Sequence, residues 1–112
     1  INTLDRNEQK CLLINTICCD REEKVINSYL GKAKDKIIVI YGRNSNDRKI
    51  YEKYDQLSSL GFCNLYLYVG GLFEWLLLQD IYGEEEFPTT EKELDILRYK
   101  SLSLFNTPLL KN

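Results

Sequence analysis

A short polar loop between a strand and a helix holds the residues of this chain that are best suited to chemistry. The loop reads Gly42-Arg43-Asn44-Ser45-Asn46-Asp47-Arg48 and joins the apolar run 37–41 to an amphipathic segment that starts at Lys49. Backbone amides at a helix start carry partial positive charge, and the two arginines add full charges. We therefore predict that residues 42–48 bind an anion, with Arg43 and Arg48 holding it through charge-assisted hydrogen bonds.

The same loop lacks the reactive atom that catalysis at an anion site would need. Its first residue, Gly42, has no side chain, and the chain contains no histidine that could serve as a base for Ser45 or Asp47. We predict no catalytic residue in this loop. A loop whose arginines are merely solvated is the alternative to an anion site.

The four cysteines of the chain, Cys11, Cys18, Cys19 and Cys63, lie within an ordinary alternation of helices and strands. This setting differs from the small, loop-rich scaffolds that depend on disulfides, so we expect reduced thiols. The neighbouring pair Cys18-Cys19 suggests a metal or redox site, but the chain has no histidine and no C-x-x-C spacing. We predict a structural or incidental role for the pair, with no metal and no cofactor.

Composition indicates one intracellular domain, and we expect it to be cytoplasmic. The 112 residues, 44% of them hydrophobic, suffice for a single core. A net charge of −2 gives no field that would attract nucleic acid or anionic lipid, and we expect neither as a partner. The sequence shows no membrane span and no signal peptide. Because no methionine is present, we expect the chain to be processed or to belong to a longer one.

Apolar periodicity and glycine positions predict alternating helices and strands. The predicted elements are the end of a first strand at 1–4, a helix at 20–30 with a left-handed stop at Gly31, a strand at 37–41, a helix at 49–60, a strand at 65–69 and a helix at 72–82. The β-branched run 37–41 is typical of a strand buried on both faces. This order predicts an α/β fold with a parallel sheet and helices on both faces.

The last part of the sequence, from Pro88 onward, is predicted to form a separate helix and tail. Thr90 and Glu93 form a capping box ahead of the apolar residues Leu94, Ile96 and Leu97, and residues 101–105 alternate like a strand. The helix at 72–82 is apolar around most of its circumference, so either this tail buries it or a partner does. We divide the chain into a core at 1–87 and a C-terminal helix and tail at 88–112.

The loop at 42–48, taken with the segment Gly61 to Trp75, resembles the rhodanese family. That segment reads GFCNLYLYVGGLFEW and contains the family's Gly-Gly-(aliphatic)-x-x-Trp turn after an apolar strand. The resemblance implies a three-layer α/β/α sandwich with a mainly parallel sheet of four or five strands. It also implies that the loop should begin with a persulfide-carrying cysteine, where this chain has Gly42. Five residues separate Gly42 from Arg48, which resembles the longer loop of the cell-cycle dual-specificity phosphatases.

These features together predict a catalytically inactive rhodanese-like domain that serves as a protein-binding or scaffold module, in which the loop can retain anion binding. The alternative is an active sulfurtransferase or phosphatase-like enzyme with a nucleophile outside the usual loop position. A third possibility is an anion sensor without turnover. We expect a protein partner or larger assembly, and a small oxyanion is the candidate ligand of the loop. Cys63 should lie at the opposite end of its strand from the loop.

Overall fold

The computed structural model describes residues 1–100, and these form an α/β arrangement in which helices and strands alternate along the chain. The elements are α1 (Cys19–Tyr29), β1 (Ile38–Tyr41), α2 (Lys49–Ser59), β2 (Leu65–Tyr68) and α3 (Gly71–Tyr82), with short 3-10 turns at Arg6–Glu8 and Ile96–Tyr99. The five main elements agree with the predicted order to within one or two residues at each end. The predicted strand at 101–105 lies outside the described residues.

The sheet of the described residues contains two parallel strands, fewer than the four or five that were predicted. β1 and β2 pair in register, with Ile38 opposite Leu65 and Tyr41 opposite Tyr68. The N-terminal segment lies along the free edge of β1, but only Asn2 forms a bridge, to Tyr41. Residues 1–4 therefore add a single bridge rather than the predicted strand end, because they follow β1 only at its last residues.

One face of the sheet packs against the first two helices. The side chains of Ile38 and Ile40 point to this face and belong to one apolar cluster. The helical and turn members of the cluster are Ile26 of α1, Ile50 and Leu57 of α2, and Phe62. Gly61, with a φ of 99°, allows the sharp turn that brings the chain from α2 back toward β2.

The other face of the sheet is covered only at the end where the strands finish. Tyr41 packs with Leu72 and Leu76 of α3, and all three side chains are buried. Val39, which points to the same face, is 46% exposed, and Tyr66 opposite it is 56% exposed. The prediction that this strand is buried on both faces is therefore wrong at Val39, because α3 packs against the Tyr41 end.

The end of α1 also differs from the prediction of a left-handed stop at Gly31. Leu30 keeps a right-handed helical conformation, and Gly31 is not among the glycines with positive φ. The amides of Lys32 and Ala33 both donate to the carbonyl of Tyr29, so the chain leaves the helix through a further right-handed turn. No left-handed residue is needed for such an exit.

The described part of the tail packs against α3 and against the N-terminal segment. The indole Nε1 of Trp75 donates to the carbonyl of Pro88 at 3.0 Å, and the ring of Phe87 meets the indole edge-on at 5.0 Å between centroids. Leu13 and Thr89 form an antiparallel bridge. These contacts cover part of α3 from the outside. The division at residue 88 stays a prediction.

The short helix predicted around Leu94, Ile96 and Leu97 is found only in part, as the 3-10 turn at Ile96–Tyr99, which begins after Leu94. The hydroxyl of Thr90, expected to cap that helix, instead accepts from the amide of Leu12 at 3.0 Å and donates to the carbonyl of Lys10 at 3.1 Å. The Thr90 hydroxyl therefore forms long-range hydrogen bonds and does not cap a helix. Within residues 1–100, no helix is long and apolar enough to cross a membrane.

Candidate functional site

The loop at 42–48 lies where β1 ends, in direct contact with the start of α3. The carbonyls of Gly42 and Arg43 accept hydrogen bonds from the amides of Leu72 and Phe73, each at 2.9 Å. Gly71 makes this approach possible, because it has a φ of 67° and a Cβ there would lie 2.6 Å from the Gly42 carbonyl oxygen. The two parts of the sequence motif are therefore joined through backbone contacts.

The carboxylate of Asp47 occupies the interior of the loop. Its Oδ2 accepts from the backbone amide of Arg43 at 3.1 Å and from the hydroxyl of Thr3 at 2.9 Å. Its Oδ1 accepts from the amide of Lys49 at 2.9 Å, at the start of α2. The loop thus surrounds a negatively charged group that belongs to the chain itself.

Asp47 and Thr3 also leave no room for a side chain at position 42. A Cβ on Gly42 would lie 2.7 Å from Cγ of Asp47 and 2.8 Å from Oγ1 of Thr3, and closer still to the carboxylate oxygen. Real Cβ contacts of this length essentially do not occur, so both side chains would have to move. The position that a family nucleophile would occupy is therefore filled by other side chains.

Arg43 points away from the loop interior, and both of its terminal guanidinium nitrogens donate hydrogen bonds. Its Nη1 donates to both carboxylate oxygens of Glu8, at 2.7 and 2.9 Å. Its Nη2 donates to the backbone carbonyl of Arg98, and its guanidinium lies 5.5 Å from the centre of the Tyr99 ring. The predicted anion-binding arginine is thus paired with a carboxylate and with the tail.

The remaining residues of the loop divide into buried and exposed positions. Asn44 is buried, with its amide nitrogen donating to the carbonyl of Tyr99 at 2.8 Å and its amide oxygen accepting from the Asn46 amide at 2.9 Å. Ser45, Asn46 and Arg48 are exposed, and Arg48 stands immediately before α2. Arg48 is the member of the predicted set that faces solvent with a full positive charge.

Anion binding by residues 42–48 stays a prediction, and two features of the loop interior oppose it. A free oxyanion in the loop interior would have to displace the Asp47 carboxylate from the Arg43 amide. It would also approach Asp47 in a region where two negative charges repel each other. Arg48, outside the interior, is the residue that can meet such an ion without rearrangement of the loop.

The cysteine thiols lie outside the loop, and all four are free. Burial raises the pKa of Cys11, whose sulfur lies 3.2 Å from the carbonyl of Glu91. Burial and the neighbouring Asp20 carboxylate raise the pKa of Cys19, which shares a surface pocket with Thr3 and Lys49. Both thiols therefore favour the neutral form, which is the weaker nucleophile.

Cys63 lies at the opposite end of the strands from the loop, as predicted. It precedes β2, it is exposed, and its amide donates to the carbonyl of Lys34 at 3.3 Å. Among residues 1–100, no group of three or more Cys, Asp or Glu side chains is placed to hold a metal ion.

Three partners of the loop carried no signal in the sequence. Thr3, Glu8 and Tyr99 contact loop residues across separations of 44, 35 and 55 positions. Local periodicity does not report contacts of this range, and none of the three belongs to the motif segments. The sequence also does not indicate which of the acidic residues pairs with Arg43.

Comparison with known proteins gives one match. The family model described as Rhodanese-like domain matches residues 14–78, which include β1, the loop, β2 and most of α3. No curated protein and no solved structure matches the chain significantly.

Proposed function

The chain belongs to the rhodanese-like domain family, and we propose that it is a catalytically inactive member that serves as a protein-binding or scaffold module. Sulfur transfer and phosphate-ester hydrolysis in such folds proceed through a thiolate that attacks and later leaves. Glycine at position 42 supplies no such atom.

The observation that carries this proposal is the Asp47 carboxylate beside Gly42. It accepts the Arg43 amide that would otherwise be available to a substrate anion or a thiolate, at 3.1 Å. A carboxylate at this place would also disfavour a neighbouring negative charge. The loop therefore differs from a catalytic loop in its electrostatics as well as in the missing cysteine.

The alternative of an enzyme with a displaced nucleophile finds little support in Cys11, Cys19 and Cys63. Cys11 is buried and Cys63 lies at the far end of the strands, while the pKa of Cys19 is raised. Ser45 is exposed, but the chain has no histidine that could activate it. None of these groups combines exposure, activation and proximity to the loop interior.

The uncovered part of the sheet supports a role in protein binding. Ile37, Val39 and Tyr66 expose apolar surface side by side at the end of the sheet that α3 leaves open. Adjacent exposed apolar side chains are typical of interaction surfaces. A partner that covers this face would complete the second helical side of the sandwich.

Enzyme assays test the catalytic half of the proposal. We expect no thiosulfate:cyanide sulfurtransferase activity and no generic phosphatase activity above buffer, with an active rhodanese as the positive control. Turnover that disappears in an Asp47→Ala or Arg48→Ala variant would contradict the proposal, since it would place chemistry in the loop.

Surface variants test the binding half. Proteins that co-purify with the chain should be lost when Val39→Lys or Tyr66→Lys places a charge on the open sheet face. Tyr51→Lys is the matched control, because Tyr51 is similarly exposed but lies on α2. Equal retention by all three variants would exclude the sheet face as the binding surface.

A small oxyanion is the second candidate ligand, because Arg48 is exposed at the start of α2. Sulfate or phosphate bound there should raise the melting temperature by mass action. Arg48→Ala should remove that increase. An equal increase in both proteins would indicate general exclusion of the salt from the protein surface, and the specific site would be abandoned.

A further inference from the structure

Two consecutive residues of the loop bind two consecutive carbonyls of the tail. Arg43 donates through its guanidinium to the carbonyl of Arg98, and Asn44 donates through its amide to the carbonyl of Tyr99 at 2.8 Å. Asn44 is only 8% exposed, so its bond to the tail is shielded from water. Side-chain donors that meet successive backbone carbonyls are a means of holding a peptide segment, and here the two carbonyls lie at the end of the 3-10 turn Ile96–Tyr99.

The aromatic residue between these contacts is anchored deeply. Tyr99 is 2% exposed and belongs to the cluster formed with Leu4, Tyr41 and Leu72. The guanidinium groups of Arg43 and Arg98 lie 5.5 and 5.6 Å from the centre of its ring, within the range of cation–π attraction. The segment thus inserts one ring into the core and presents its backbone to the loop.

Glu8 holds Arg43 in the orientation that this binding requires. The side chain of Glu8 is 9% exposed, and the ion pair is bidentate at the carboxylate. A buried carboxylate needs its cation, because removing one member leaves an uncompensated charge. The guanidinium is therefore fixed between Glu8 and the tail rather than being free to follow an anion.

We propose that the loop at 42–48 is a peptide-binding site whose ligand is the chain's own segment 98–99. The site recognises two successive backbone carbonyls, through Arg43 and Asn44, together with one aromatic side chain. Loop residues that would bind an oxyanion in a catalytic relative bind backbone carbonyls here. This proposal concerns what the loop binds and does not depend on whether the domain is a scaffold.

Hydrogen exchange followed by mass spectrometry tests the site in the full chain. Asn44→Ala and Arg43→Lys should each accelerate exchange in peptides covering residues 93–100 by about tenfold or more, since each removes a hydrogen bond to a carbonyl of this segment. Arg43→Lys keeps the charge opposite Glu8 but removes the forked donor. Ser45→Ala and Arg48→Ala alter exposed residues of the same loop, and both should leave the exchange of these peptides unchanged.

The comparison with the core decides between a distinct site and general destabilisation. Peptides covering β1 and α2 should exchange as in the wild type when either Arg43 or Asn44 is changed. Unchanged exchange at 93–100, or an equal acceleration at 93–100 and in β1 and α2, would overturn the proposal. Acceleration at 93–100 by Arg48→Ala as large as that caused by Arg43→Lys would also overturn it.

Discussion

Two turns follow the carboxyl ends of the paired strands: the loop after β1 and the Gly70-Gly71 turn after β2. Each contains a glycine at which a Cβ would collide with neighbouring atoms. At Gly71 the obstacle is backbone, since a Cβ would meet the carbonyl of Gly42 at 2.6 Å and φ is 67°. At Gly42 the obstacle is two side chains, Asp47 and Thr3. Backbone cannot be exchanged, whereas side chains can. The Gly70-Gly71 turn is thus fixed by the fold, and the loop after β1 by its particular residues.

Removing the tail after Tyr82 should produce the largest effect, because both turns lose the segment that covers them. Tyr99 leaves the core next to the loop, and Phe87 and Pro88 leave the indole of α3. Each fully buried large side chain contributes about 1.5 to 3 kcal/mol, so the truncated protein should unfold or aggregate. Truncation after Lys100 keeps every contact described above and is the matched control. Equal melting temperatures of the two proteins would show that residues 83–100 are a passive extension.

Gly71→Ala should destabilise the domain strongly, because the new methyl group overlaps backbone and the residue keeps a left-handed conformation. We expect a loss of about 2 to 4 kcal/mol in the free energy of unfolding, measured with urea. Gly31→Ala is the control, since nothing lies within 4 Å of a Cβ there and Gly31 has no positive φ. A loss at position 71 no larger than that at position 31 would contradict the comparison.

Gly42→Cys should behave differently, because its obstacles are side chains, and a second substitution can remove the one that comes closest, Asp47. With Asp47 present, the added thiol lies beside a carboxylate, and its pKa should be above the ordinary value of about 8.5. In Gly42→Cys with Asp47→Ala, the Arg43 amide and the start of α2 are released, and the pKa should fall below that value. The dependence of alkylation rate on pH measures both.

A thiol pKa that is the same with and without Asp47 would show that the carboxylate does not control the loop. A double-mutant cycle on the free energy of unfolding gives an independent reading, with a coupling of about 0.5 to 3 kcal/mol expected between positions 42 and 47. No second-site change of this kind should rescue Gly71→Ala.

Alkaline pH should have the smallest effect on the free energy of unfolding. It acts on three tyrosines near the two turns whose pKa is raised. Burial raises the pKa of Tyr41 to about 12, while the Leu13 amide, which donates to its hydroxyl, and the hydrogen bond between this hydroxyl and that of Thr16 oppose the shift. Burial also raises the pKa of Tyr68 and Tyr99.

Since the folded state holds these protons more tightly, this contribution to stability is complete below pH 10. It should be lost progressively as the pH rises toward 12. Urea unfolding between pH 8 and pH 12 measures this loss, and Tyr41→Phe should reduce the slope. A stability that is constant across this range would contradict the assignment of the raised pKa to burial.

The helices and strands of this chain could be predicted from the sequence because their signals are local. Spacing of apolar residues placed α1, α2 and α3, and Gly61 and Gly83 marked ends where φ is positive. Prediction failed where a side chain that could have capped a nearby helix forms hydrogen bonds with residues distant in the sequence. The Thr90 hydroxyl bonds Leu12 and Lys10 instead of capping a helix.

The sequence by itself determined the family, the α/β order and the absence of a cysteine at position 42. Only the tertiary structure decided what fills the loop and what covers it. The carboxylate of Asp47 binds the Arg43 amide, and Arg43 turns outward to Glu8 and the tail. These outcomes depend on contacts between segments that are up to 55 residues apart, and a pattern read over one or two turns of helix carries no information about them.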